Sequence, residues 1–196
     1  LHLILGDICM TLNTTESASQ RRRLESVFIA LLWIAPVLLA GLNWQLEGPL
    51  PSSFMLVGGF VLAAVPTYYW RWRRENGAMP VVASMALAAQ IALLTITALP
   101  LHPEGLDLYQ DMHGWFFAGL CLSACWLDRR AVLGFFGVAV LYQLAAYWLL
   151  PNFWFVGDDD FARQLLRLGM FAATAAALFV LTSRWSASRA ALTADR

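Results

Sequence analysis

No lysine occurs in the 196 residues: all 13 basic positions are arginine, matched by 13 acidic residues for a net charge of zero. Without surplus positive charge no global field draws the chain to nucleic acid, and the informative quantity is where each charge stands. Cysteine is scarce as well. Cys9, Cys121 and Cys125 are the three present, and two of them lie inside an apolar run, which excludes a disulfide framework. Missing too are the short patterns that carry chemistry: no Gly-x-Ser-x-Gly elbow, phosphate loop, dinucleotide fingerprint or paired-histidine zinc motif. No nucleophile, base and oxyanion donor are nominated together, so the chain reads as not an enzyme.

What is abundant is apolar surface. Hydrophobic residues make up 60% of the chain against 13% charged, with a mean hydropathy of +0.61, far too apolar for an ordinary soluble domain. The expectation is an integral membrane protein surrounded by lipid. Arginine in place of lysine, together with the many alanines, fits a GC-rich bacterial genome and hence the bacterial cytoplasmic (inner) membrane. The chain opens at Leu1, with Met10 as a more natural start. The polar stretch 11–23 precedes the first apolar run without an A-x-A-like cleavage site, so no cleavable signal peptide is expected.

An α-helix needs roughly 20 apolar residues to cross about 30 Å of hydrocarbon. Six runs approach that length: 27–42, 54–70, 79–99, 112–127, 131–150 and 165–183. Only helices satisfy every backbone group in lipid without closing a barrel, so the fold class is all-α, a polytopic bundle of six transmembrane helices. Arginine placement sets its orientation. Arg21, Arg22 and Arg23 precede the first run, Arg71, Arg73 and Arg74 follow the second, Arg129 and Arg130 join the fourth and fifth, and Arg184, Arg189 and Arg196 follow the sixth. Segments 43–53 and 100–111 contain none, and Arg163 in 151–164 stands near Asp158, Asp159 and Asp160. Cytoplasmic loops collect arginine, which places both termini in the cytoplasm. The chain then divides into a polar cytoplasmic segment 1–26, a bundle 27–183 and a short cytoplasmic tail 184–196.

Aromatic residues mark the expected interfaces, with Tyr68, Tyr69, Trp70, Trp72, Trp126 and Trp185 inside and Trp44, Trp148 and Trp154 outside. Pro36 falls within the first run, where it removes one backbone hydrogen bond and kinks the helix. Gly58, Gly59, Gly134, Gly137 and the stretch 172–177 offer small surfaces for close helix approach. No inverted repeat relates the two halves, and no run is studded with carboxylates, which leaves a small transporter as a minor reading.

The polar residues gather at the outer face. Asp107, Asp111 and His113 stand at the mouth of the fourth run, and Arg163 and Arg167 share a face at the start of the sixth. If those helices meet, Arg167 neutralises Asp111 and His113 sits deeper; an interfacial ion pair and a ligand site are both consistent with this. With Gln143 from the fifth run, Asp111, His113 and Arg167 form the candidate ligand-binding set. Metal binding is left open. Cys121 and Cys125 are one turn apart, yet His113 is eight residues from Cys121, about 12 Å along a helix, so one ion does not bridge them. Two cysteines without a third ligand read as small core residues, and no cofactor is clearly implied.

From Asp111 to Arg184 the chain resembles the N-terminal six-helix membrane module of a group of bacterial methyl-accepting chemotaxis proteins. The matching residues are Asp111, His113, Phe116, Phe117, Asp128, Arg130 and the Leu150-Pro151 pair; before Asp111 the likeness is only topological. Paired histidines of that family correspond here to Tyr142 and Gln143, its asparagine to Tyr147, and a further histidine to the neighbourhood of Leu168 and Gly169. If those histidines bind a metal or haem in the family, this chain lacks the site or has a changed ligand. The family also continues into a long cytoplasmic coiled coil, whereas the present sequence reads to Arg196. The resemblance implies a non-catalytic sensory or signal-transducing module, with a protein partner in the membrane or a homo-oligomer. The alternative is an accessory subunit of a larger respiratory or photosynthetic membrane complex.

Overall fold

A computed structural model of the chain describes residues 2–45, 50–72, 77–97, 114–149 and 160–194. Among these the elements are all α-helical: α1 (His2–Gln45), α2 (Ser52–Trp72), α3 (Met79–Thr97), α4 (Gly114–Ala124), α5 (Arg129–Leu149) and α6 (Asp160–Ala194). Five carry segments long and apolar enough to cross a membrane: Arg21–Gln45, Ser52–Trp72, Met79–Ile96, Arg129–Ala146 and Leu165–Trp185. The outward surface is apolar along its length, with Ile34, Leu38, Val57, Val61, Leu141, Leu144, Leu166 and Leu181 all exposed. That is the reverse of a water-facing surface and matches a multi-pass protein whose solvent is lipid.

The fourth helix differs from its expected span of 112–127. Its described part, 11 residues, covers about 16 Å of a hydrocarbon layer about 30 Å thick. Residues 112 and 113 lie outside the described residues, but the other end is clear. The backbone tightens to three-residue steps, with Cys125 N–H donating to Leu122 C=O at 3.1 Å and Leu127 N–H to Ala124 C=O at 2.9 Å. Leu127 then takes a left-handed conformation, φ 53°, and Asp128 Oδ1 accepts from Arg130 N–H at 2.9 Å, capping α5. The end of the apolar run is therefore a turn. Helix also extends beyond the expected spans, since α1 includes residues 2–26 and α6 runs through 184–194.

The centre of the bundle is α3. Its membrane segment is 61% buried, against 17% to 33% in the other four. It packs against α1, α2, α4 and α5, while α6 rests on α4 and α5 at the edge. The reason lies in the side chains. Ala83, Ala86, Ala88 and Ala92 interleave with Leu87 and Ile91, all buried, so neighbours approach α3 closely on several sides.

Glycine sets two of these approaches. A β-carbon on Gly59 would stand 2.7 Å from Pro36 Cβ and Cγ, and one on Gly119 would stand 2.5 Å from Ile91 Cδ1 and 2.7 Å from the Phe135 ring. Gly134 likewise faces Val81 and Met85, but Gly137 has nothing within 4 Å of a would-be β-carbon, so it is not a packing glycine within the chain. Of the stretch 172–177, Ala175 is buried and Ala172, Ala173, Ala176 and Ala177 are exposed, because that face of α6 turns away from α4 and α5. Trp44, Trp72, Trp148 and Trp185 are exposed as interface anchors would be. Trp126 is instead drawn inward, its ring 4.5 Å from that of Phe28, and Trp70 also packs on the core. Trp154 lies outside the described residues.

Gly59→Ala is expected to destabilise the bundle by about 1–3 kcal/mol through overpacking on Pro36. Gly41→Ala, in open space on the same helix as Pro36, is expected to be neutral or stabilising by up to about 1 kcal/mol. Thermal unfolding of the two variants in detergent checks the difference; equal midpoints would contradict the close contact.

Candidate functional site

Of the four residues nominated from sequence, Asp111 and His113 lie outside the described residues, as does Asp107. Gln143 is buried on α5 and Arg167 is half-buried near the start of α6. The helices meet as the proposed pairing requires, since α4 and α6 are packed neighbours; the pairing of Asp111 with Arg167 is itself outside the described residues. Arg163 is on α6 one turn before Arg167.

Beside Gln143 stands the polar contact that sequence reasoning passed over. The Tyr142 and Thr95 hydroxyls share a hydrogen bond of 2.5 Å, and Thr95 Oγ1 also bonds the Ala92 carbonyl at 2.8 Å. Thr95 has one proton and a carbonyl only accepts, so the proton between the two side chains comes from Tyr142. This closes a polar bridge from α5 to α3 with both hydroxyls partnered. The Tyr142 ring stacks on Phe116 of α4 at 5.8 Å.

Phe116 passes the contact onward. It meets Phe171 of α6 at 6.3 Å, and Phe171 in turn meets Phe117 and Phe136, each at 5.4 Å. Phe171 is 2% exposed, the most buried large side chain among the described residues of a helix whose membrane segment is otherwise largely outward-facing. One aromatic wedge thus fastens α6 to α4 and α5, and the ring chain links it through Tyr142 to Thr95 on the central helix. The Phe116-Phe117 pair was singled out in the sequence. Phe171 was not, although a phenylalanine among alanines and glycine in 169–177 is the visible signal for a knob set in small neighbours.

A second buried polar contact lies deeper. Pro36 has no N–H to give the Leu32 carbonyl one turn back, and Gln90 Nε2 of α3 donates to that carbonyl at 2.9 Å and to the Gly59 carbonyl at 3.1 Å. Three helices meet at this amide. Trp33 Nε1 adds a nearby α1–α2 tie to Thr67 Oγ1 at 2.9 Å, and Asn43 Nδ2 bonds Leu50 C=O and Ser52 Oγ at 2.8 and 3.1 Å, holding the start of α2. The clue to Gln90 was a lone amide within the apolar run 79–99, paired with a proline in another run.

Cys121 and Cys125 are both exposed, not the small core residues expected of two cysteines without a third ligand. Cys125 Sγ lies 3.7 Å from the Cys121 carbonyl. Among the described residues no three histidine, cysteine, aspartate or glutamate side chains gather as metal ligands.

Phe171→Ala is expected to cost about 3–5 kcal/mol, and Tyr142→Phe, which leaves the Thr95 bond to Ala92 intact, about 0.5–1.5 kcal/mol. Leu166→Ala, at an exposed site on the same helix, serves as the reference in denaturation assays. A Phe171→Ala cost no larger than that of Leu166→Ala would remove the anchor role.

No family model, curated protein or solved structure matches the chain.

Proposed function

We propose that the chain is a non-catalytic sensory or signal-transducing membrane module. In this reading all six helices cross a bacterial inner membrane, α4 together with its adjoining residues, and both termini are cytoplasmic. The observation that carries it is the form of α6. Its membrane segment ends at Trp185, yet the helix continues unbroken to Ala194, and among its described residues Phe171, Ala175 and Thr182 are the buried ones. A helix that passes through the membrane without a break, lightly fastened to its neighbours, is suited to carry a displacement from one side to the other. The likeness of Asp111 to Arg184 to the chemotaxis-protein module supports the same reading, with Asp111, His113, Gln143 and Arg167 as the outer ligand set. Transmission requires a receiver, either a protein partner or a second copy.

Arginine distribution supports the orientation, and cysteine accessibility tests it. In a background with Cys9, Cys121 and Cys125 replaced by alanine, Pro51→Cys is expected to react with a membrane-impermeant maleimide in intact cells. Ser188→Cys is expected to react only after permeabilisation; the opposite pattern overturns the orientation.

An accessory subunit of a respiratory or photosynthetic complex is the competing reading, favoured by exposed aromatics such as Trp44, Trp148 and Trp185 that can face a partner protein. Purification of the untagged protein in mild detergent separates the two. The sensory reading expects no stoichiometric bioenergetic complex, and recovery of one would sink it. At the site itself, a His113→Ala variant with ligand, spectral and assembly properties all unchanged would remove that residue from the ligand set.

A further inference from the structure

Over one side of α3, helices α1 and α4 stand apart and leave a groove of about 460 Å³, within the size range of small-molecule sites. Leu38 and Leu42 of α1, Ile91 and Leu94 of α3, and Trp115 and Ala118 of α4 are among its walls. A second apolar strip, bounded by Val27, Ala30 and Ile34, shares Leu31, Ala35 and Leu38 with the first. The two form one channel along α1 from Val27 to Leu42, about 22 Å of helix. One leaflet of a bilayer offers about 15 Å of hydrocarbon, so the channel takes a chain that reaches the midplane. Leu38 and Trp115 are 67% and 54% exposed, and the channel therefore opens sideways, toward lipid.

What stands at the end of the channel selects its occupant. Positions 23, 27, 30 and 34 follow the four- and three-residue steps of one helical face, so Arg23 continues the strip of Val27, Ala30 and Ile34 beyond its apolar end. On the other flank the Phe28 ring of α1 meets the Trp126 ring of α4 at 4.5 Å, which ties the end of α4 to α1. Arg129 and Arg130 follow that tryptophan by three and four residues, so arginines from two helices border the same end of the channel. All three are exposed. The carboxylates beside them are engaged elsewhere: Glu25 pairs with Arg21 at 3.3 Å, and Asp128 Oδ1 accepts from the Arg130 backbone N–H. Among the described residues no ion pair neutralises Arg23, Arg129 or Arg130.

Charge and channel together narrow the chemistry. An acidic peptide would use the arginines and ignore the apolar strip, while an uncharged lipid would fill the strip and ignore the arginines. A phospholipid of net negative charge uses both. Its phosphate oxygens accept the forked guanidinium N–H groups, and an acyl chain covers exposed apolar side chains such as Val27 and Ile34.

We propose that this channel is a site for one anionic phospholipid, with its phosphate between Arg23 of α1 and the Arg129-Arg130 pair of α5 and an acyl chain laid along α1 toward α3 and α4. The site stands independently of the sensory reading, because it uses none of Asp111, His113, Gln143 or Arg167.

Photolabelling of the full chain in phosphatidylcholine nanodiscs tests this with two trace probes that share one diazirine-bearing acyl chain, a phosphatidylglycerol and a phosphatidylcholine. The phosphatidylglycerol probe is expected to label segments 27–42 and 115–122 at least about fivefold more strongly, since one arginine near the surface is worth about that factor toward an anionic lipid. Arg23→Gln should lower this preference about fivefold, and so should Arg129→Gln combined with Arg130→Gln. Arg22→Gln removes the same charge one residue away, on the face of Trp33 that bonds α2, and should leave the preference in place. All four arginines are exposed, so the variants leave the packed interior untouched, and the two-probe comparison on the unaltered protein stands without them. Ala118→Leu, which fills the channel from an exposed position, should reduce labelling of 115–122 severalfold. Unlabelled phosphatidylglycerol should suppress the labelling, whereas inorganic phosphate at the same concentration should not. Equal labelling by the two probes, adducts spread evenly over α2 and α6, or suppression by inorganic phosphate would each overturn the proposal. Equal losses for Arg22→Gln and Arg23→Gln would overturn it too, by reducing the site to a diffuse positive rim.

Discussion

A carbonyl in hydrocarbon with no donor is the constraint around which this bundle is arranged. Pro36 creates one at Leu32, and lipid supplies nothing to satisfy it. The remedy comes from another helix: the Gln90 amide reaches from α3 to Leu32 and bonds the Gly59 carbonyl at the same time. Gly59 is where α2 meets the proline ring, at a distance that leaves no room for a β-carbon. A local defect in α1 is thus converted into a three-helix junction, and α3 is buried because it has to stand between the helices it joins. In hydrocarbon, where apolar surfaces alone give helices little reason to prefer each other over lipid, such a polar demand also specifies which neighbour belongs where.

The remaining structure grades outward from that junction. Small residues let α4 and α5 close on α3, with Gly119 accepting Ile91 and Phe135, and the Tyr142–Thr95 bond fixes the register of α5 against it. Beyond this the links become aromatic rather than polar. Phe116, Phe171 and Phe136 make a chain of ring contacts, which holds position by shape and tolerates small rotations better than a hydrogen bond does. Rigidity at α3 and latitude at α6 thus arise from two kinds of contact.

Among the described residues the helices could be read from the sequence because lipid imposes a length rule that apolar runs obey, and five of the six runs contain segments that meet it. The end of the fourth could not, because Cys125, Trp126 and Leu127 are as apolar as a helix interior. Only the backbone shows that Leu127 reverses the chain and that Asp128 caps α5. Pairing was the harder matter. Gly134 and Gly137 look alike in the chain, but one faces Val81 and the other open space, since helical phase relative to a neighbour is set by tertiary contacts. Cys121 and Cys125 were misjudged for the same reason. Of the candidate site, Gln143 and Arg167 were nominated from sequence and lie among the described residues, and a lone polar side chain within an apolar run is a signal that Gln90 carries equally well. Which carbonyls an uncharged amide will meet depends on how the helices pack, and the sequence does not state that. Phe171 was legible only as a large ring among small neighbours, a weak signal in a chain this apolar.

The length of α6 gives its one large buried ring among the described residues a mechanical meaning. From Phe171 the helix extends 11 residues back to Asp160 and 23 residues forward to Ala194, arms of about 16 Å and 35 Å. If the helix is stiff and Phe171 is its fulcrum, a sideways shift at the Asp160 end reappears at Ala194 reversed in direction and roughly doubled. An ångström of repacking at one face of the membrane becomes about two ångströms at the other, with a sense set by where the phenylalanine stands in the chain. Moving that aromatic residue two turns along α6 would change the gain of the lever without altering either end.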